Sequence, residues 1–330
     1  MAQPIQPSHT TIDLSVTIAG VEWQCPITTA AGTYMNGKEY SEIVPIEELG
    51  ALTVKSIASE PWLGNPSPRF YEIPNGLAGS IGIQNPGVEY WLEHEWPWVR
   101  SLKIPVVISI AGHSIEDFQR VTQRLAELAK EDKAPAALEI NMSCPNDLGG
   151  LIEFGKDPDQ ARKLTKAVKD LSPFPVFTKL TPDVKSIAEI GQAVEDGGAD
   201  AITMINGPTG MVIDAETGLP QTGTRTAGIT GPIIKPIALR MVWDVYEVVK
   251  IPIIGVGGVS NATDALEFIQ AGATAVAMGT ANFKNPRVFL EVRDGIRAFL
   301  ERKGFTSVKE IIGRGHREWA KVKDKRRGLI

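Results

Sequence analysis

Residues with chemistry to offer stand in this sequence at the ends of short apolar runs. One run leads into Lys55-Ser56, a second into Asn141-Met-Ser-Cys144-Pro-Asn146, a third carries Lys179 near its end, and a fourth leads into Asn206. Lysine brings a cation or an amine, asparagine a donor and an acceptor, and cysteine a thiol that ionises at about pH 8.5. Each alone has an ordinary reading: a solvated lysine, a turn asparagine, a small buried thiol. Two lysines and three asparagines on one set of strand ends, with Cys144 between Ser143 and Pro145 in a polar loop, favour a shared site instead. Cys25 lies in an apolar run and reads as a buried small hydrophobe. His9, His94, His113 and His316 have no mutual spacing that suits a metal centre or a catalytic triad.

Two more strand ends are glycine-rich: Gly255-Val-Gly257-Gly258 and Gly279-Thr280. Backbone N–H groups there, with a helix starting at Ser260-Asn261, suit a phosphate, because a helix N-terminus and its unpaired amides attract anions. The first of these also invites a dinucleotide reading. Ser260 replaces the third glycine of that fingerprint, however, and no acidic residue closes the next strand. One phosphate cradle is expected, and no Rossmann site.

These residues need a scaffold that brings many strand ends to one face. Eight runs are expected as strands: Pro26–Ala30, Ala51–Ser56, Pro105–Ala111, Ala136–Asn141, Pro175–Leu180, Asp200–Ile205, Pro252–Val256 and Thr274–Gly279. Between and after them lie amphipathic stretches at 39–49, 88–102, 114–130, 158–171, 184–196, 233–249, 261–270 and 286–302, expected as helices. Strictly alternating strand and helix predicts an α/β fold, a (β/α)8 TIM barrel, whose chemistry collects at the C-terminal strand ends. Ala19-Gly20 between two β-prone runs predicts an N-terminal hairpin at the barrel bottom. The stretches 60–87 and 207–231 are too long for plain connectors and are expected as inserted loops over the active face. Residues 314–330 are polar and basic, an exposed tail or a late helix, and no linker divides residues 1–330 into separate domains.

Bulk composition narrows the function. Hydrophobic residues make up 43% and charged residues 22% of the 330, enough for a large core and a soluble surface. A net charge of −5 with scattered basic residues argues against nucleic acid. No apolar run approaches the roughly 20 residues a membrane span needs, and the start has no signal-peptide core, so a cytoplasmic protein is expected. Two cysteines are too few for an iron–sulfur site within this chain.

The loop Asn141-Met-Ser-Cys-Pro-Asn146, followed by Gly149-Gly150 and Phe154-Gly155, resembles the catalytic loop of class 1 dihydroorotate dehydrogenases. Gly64-Asn-Pro-Ser-Pro-Arg69, Gly82-Ile-Gln-Asn-Pro-Gly87, Gly231-Pro-Ile-Ile-Lys-Pro-Ile-Ala-Leu-Arg240 and the span from Gly255 to Thr280 also match, so the resemblance covers about residues 10–305. It implies FMN-dependent oxidation of dihydroorotate to orotate in pyrimidine biosynthesis. It is nearest the catalytic subunit of the NAD-linked subclass, which works with an FAD and iron–sulfur electron-transfer subunit, and it implies a homodimer core. By resemblance Cys144 takes the C5 proton while the C6 hydride goes to the flavin, Lys179 stabilises the reduced ring, and Lys55 contacts flavin and substrate. Ala30, Gly32, Lys55, Ser56, Asn141, Lys179, Gly228, Thr230, Gly257, Gly258, Gly279 and Thr280 correspond to FMN positions. Lys55, Gly82, Ile83, Asn141, Asn146 and Asn206 correspond to the substrate shell.

Three departures bear on substrate. Gly79 stands where the family has a pyrimidine-binding asparagine, Gly207 where it has serine or threonine, and Ser109 where it has an asparagine near the flavin. Dihydroorotate is therefore expected to bind weakly, with ordered water in the space beside the two glycines, and Gly79→Asn to tighten it. Other readings stay open: a paralogue oxidising another dihydropyrimidine or cyclic amide, a barrel lyase or aldolase using Lys55 or Lys179 as a Schiff base, and a flavin-binding subunit without its own substrate.

Overall fold

The computed structural model of the protein describes residues 12–142 and 154–327. All eight expected strands are present, trimmed at their ends: β1 Ile27–Thr29, β2 Leu52–Thr53, β3 Val106–Ile110, β4 Ala137–Asn141, β5 Val176–Leu180, β6 Ala201–Met204, β7 Ile253–Val256 and β8 Ala275–Met278. They form one sheet in the order β1-β8-β7-β6-β5-β4-β3-β2, and every pairing is parallel. Side chains close the remaining seam, where Thr53 donates its N–H to Thr29 Oγ1 at 2.9 Å and Thr29 Oγ1 donates back to the Thr53 carbonyl at 2.9 Å. The strands are buried on both faces, as a parallel sheet under a helical layer requires. The result is a (β/α)8 barrel.

Sequence cues set where the helices begin. Ser114 accepts from the Asp117 N–H in a capping box ahead of Ile115–Ala126. Asp157, Ser186 and Asn261 cap Pro158–Lys169, Ile187–Asp196 and Ala262–Ala271, each side chain accepting from the backbone N–H three residues on. Two expected helices are shorter than their patterns. The stretch 88–102 breaks into Val88–His94 and Trp96–Val99, because Pro97 has no N–H for a continuous ladder. The stretch 39–49 keeps only Lys38–Ser41 and a 3₁₀ turn at Ile46–Glu48, with Pro45 between them. The hairpin is Val16–Ile18 paired with Val21–Trp23, and the basic tail contains the helix Arg314–Arg327.

The two stretches expected as loops hold structure of their own. Strands Thr209–Gly210, Ala227–Thr230, Gly76–Gly79 and Phe70–Ile73 pair in that order as an antiparallel sheet above the barrel mouth. Each stretch supplies half of this roof, so neither half is recognisable without the other.

Candidate active site

Cys144 and Asn146 lie outside the described residues, and the rest of the barrel mouth forms the described part of the site. One cavity there is lined by Ala30, Gly32, Lys55, Ser56, Gly82, Ile83, Asn141, Lys179, Asn206, Gly228, Thr230, Gly257, Gly258, Gly279 and Thr280. The barrel thus brings to one place every site residue expected from the sequence that falls within the described chain. The apolar walls come from residues the sequence did not single out, among them Ile205, Ile234, Val256, Phe70 and Phe283.

On one side the polar side chains form a chain of hydrogen bonds. Ser56 and Ser109 share a bond of 2.8 Å between their hydroxyls, Asn141 Nδ2 reaches Ser56 Oγ at 3.4 Å, and Asn206 Nδ2 reaches Asn141 Oδ1 at 3.4 Å. Residues from the ends of β2, β3, β4 and β6 are fixed relative to one another by this chain, which turns flexible amides into a preorganised surface. Asn141 is directly paired with Lys179 across β4 and β5. Lys179 is 6% exposed, and its side chain has no hydrogen-bond or ion-pair partner among the described residues. A buried ammonium without a counter-charge is costly unless a ligand supplies one, so this group favours a ligand that is or becomes anionic. Lys55 lies beside the Gly32 turn, where an added Cβ would sit 3.1 Å from Lys55 Cδ.

On the other side the wall is backbone. Gly257 and Gly258 take φ of 130° and 86°, and the N–H groups of Gly257, Gly258 and Thr280 have no acceptor among the described residues. A Cβ at Gly258 would lie 2.9 Å from Lys235 Cβ and 3.0 Å from the Gly231 carbonyl. Glycine is needed there both for its positive φ and for the close approach. A concave turn with free N–H groups and no side chain is suited to a phosphate.

The positions that depart from the family have physical explanations. A Cβ on Gly207 would meet the Ile229 carbonyl at 2.7 Å, so the roof strand itself excludes a serine or threonine there. Gly79 is paired with Phe70 across the roof, and an added Cβ would touch the Phe70 ring at 3.4 Å. Phe70 packs edge-to-face with Phe283, their centroids 6.2 Å apart. The space expected to hold water beside Gly79 therefore has an aromatic neighbour, which an added Cβ would meet in ordinary van der Waals contact. Gly79→Asn should tighten dihydroorotate by roughly 2- to 13-fold, the value of one neutral hydrogen bond. Titration of the variant checks this, and an unchanged affinity refutes it.

Cys25 is buried beneath β1, where burial pushes its thiol up to about 11. It is not a base at neutral pH. Among the described residues there is no cluster of His, Cys, Asp or Glu that could hold a metal ion.

Comparison with known proteins agrees with this architecture. The family described as dihydroorotate dehydrogenase matches residues 13–300. The chain belongs to the dihydroorotate dehydrogenase family. Similar proteins include the dihydroorotate dehydrogenase B (NAD(+)) catalytic subunit of Desulforamulus reducens, 46% identical over 305 residues, 92% of this chain and 99% of that protein. The subunit of the same name from Caldicellulosiruptor bescii is 44% identical over 302 residues, again 92% and 99%. That from Bacillus pumilus is 45% identical over 301 residues, 91% and 96%. The family match and these relatives cover the barrel, whereas the helix Arg314–Arg327 lies beyond the last residue matched by the family.

Proposed function

We propose that this chain is the FMN-binding catalytic subunit of an NAD-linked dihydroorotate dehydrogenase, oxidising dihydroorotate to orotate in pyrimidine biosynthesis. The observation that carries the reading is the two-sided cavity. A glycine-lined backbone cradle at the ends of β7 and β8 suits the cofactor's phosphate, and Lys179 and the Ser56–Asn141–Asn206 chain face it from β2, β4, β5 and β6. FMN, when bound there, would supply the hydride acceptor. Asn141, Asn146 and Asn206, with backbone at Gly82 and Ile83, hold the planar ring, and Lys55 supplies a cation beside it. Cys144 takes the substrate proton.

The electrons leave to a separate FAD and iron–sulfur subunit, since two cysteines cannot ligate a cluster here. Two copies of the chain form the core of the assembly. Among the described residues no helix is long and apolar enough to cross a membrane, and the cytoplasm is the proposed compartment.

Purified protein should be yellow, release FMN on denaturation and bleach when dihydroorotate is added without oxygen. Recovery of FAD, or of no flavin, sinks the cofactor assignment. An oxidised spectrum untouched by saturating dihydroorotate but bleached by another dihydropyrimidine transfers the activity to that substrate.

A further inference from the structure

Behind the phosphate cradle, outside the cavity wall, lies a charged cluster that the reaction does not use. Asp264, 7% exposed in the first turn of Ala262–Ala271, receives three hydrogen bonds on its carboxylate. Oδ2 accepts from the Ser260 N–H at 2.9 Å and from Asn261 Nδ2 at 2.9 Å, and Oδ1 accepts from Lys235 Nζ at 2.7 Å. Lys235 also donates to Glu267 Oε2 at 2.7 Å. Asn261 Oδ1 in turn accepts from the Asp264 N–H at 3.1 Å. One carboxylate thus ties the exit of β7 to the helix that follows it and to the helix Lys235–Tyr246 that precedes it. The stem of Lys235 also forms the back wall of the Gly258 turn, 2.9 Å from where a Cβ would stand.

We infer that Asp264 and Lys235 are positioning residues for the phosphate cradle: the carboxylate fixes the Gly257–Asn261 turn, and the ammonium cancels the carboxylate's charge next to a bound phosphate. This rests on reading the glycine turn as the site of FMN's phosphate. Neither side chain lines the cavity, whereas Gly258 and Ser260 do, so the effect passes through the turn. The hydrogen bonds it donates to Asp264, then to Glu267, hold the Lys235 ammonium above its usual range, so it stays charged at neutral pH. A fixed carboxylate near an anion site is unfavourable by charge alone and is retained here for its geometry.

The sign of one substitution separates geometry from charge. Asp264→Asn removes a negative charge near the phosphate, so a purely Coulombic role predicts tighter FMN. A positioning role predicts weaker FMN, because the amide cannot accept from Ser260, Asn261 and Lys235 together. FMN and riboflavin, which lacks the phosphate, would each be titrated into flavin-stripped protein and followed by fluorescence quenching. For Asp264→Asn, FMN affinity should fall tenfold or more while riboflavin affinity changes less than twofold. Unchanged or tighter FMN, or equal losses for both flavins, overturns the inference. Should that variant fail to fold, Lys235→Met must show the same FMN-selective loss or the inference fails. If the unaltered protein does not prefer FMN to riboflavin, the reading of the cradle itself is wrong, a result distinct from failure of the variants.

Discussion

Cys144→Ser should keep its flavin and lose on the order of 10²–10⁴-fold in the rate at which dihydroorotate reduces it, the usual contribution of a positioned general base. Cys144 lies outside the described residues, but the chain reaches it three residues beyond Asn141, whose side chain the Ser56 and Asn206 bonds fix in the cavity. The other thiol is excluded as the base: Cys25 is 3% exposed, and burial pushes it up to about 11. A serine hydroxyl at 144 would be a much weaker base than a thiol that ionises at about pH 8.5. Rapid mixing with dihydroorotate under anaerobic conditions measures the step directly. An unchanged rate would remove Cys144 from the mechanism, and retained flavin absorbance in the same sample shows that the cradle was not disturbed.

Lys179→Ala should lower the flavin reduction potential by about 50–100 mV. A unit charge about 4 Å from the site of developing negative charge is worth about 4 kcal/mol at an effective dielectric constant of 20. For a two-electron couple, about 30 mV corresponds to 1.4 kcal/mol. Lys179 is almost completely buried and forms no ion pair among the described residues, so no carboxylate in contact with it there offsets the effect. Lys179→Arg should restore most of the potential if charge is the cause. Equilibrium titration against a reference dye measures both variants, and a potential equal to that of the unaltered protein in Lys179→Ala would falsify the assignment.

What could be read from the sequence follows from how the barrel uses it. Parallel strands buried on both faces appear as compact apolar runs, so all eight stood out, and the residue leaving each run was a candidate by position alone. That is why Lys55, Asn141, Lys179, Asn206 and the glycines after β7 and β8 meet at one cavity. The roof was hidden for the converse reason. Gly76–Gly79 and Ala227–Thr230 are short, glycine-containing and half-exposed, and the partner of each lies in the other stretch. Phe70 and Phe283 were missed with it, since an aromatic in a loop carries no sign of its neighbour. Asp264 and Lys235 were masked by ordinary roles, a residue in the first turn of a helix and a lysine in a motif, until their hydrogen bonds converged behind Gly258.

The roof has a consequence for the order in which this protein assembles. Gly79 and Gly228 are partners across about 150 residues of intervening chain, and closing so long a loop is entropically unfavourable until something else has brought its ends together. The segment between them contains β3 to β6, so the roof can zip only after those strands have taken their places. The roof strands, whose Gly79 lines the cavity, thus depend on long-range closure, while the glycine turns after β7 and β8 depend on the barrel itself. Substitutions that weaken the roof should cost selectivity well before they cost the fold.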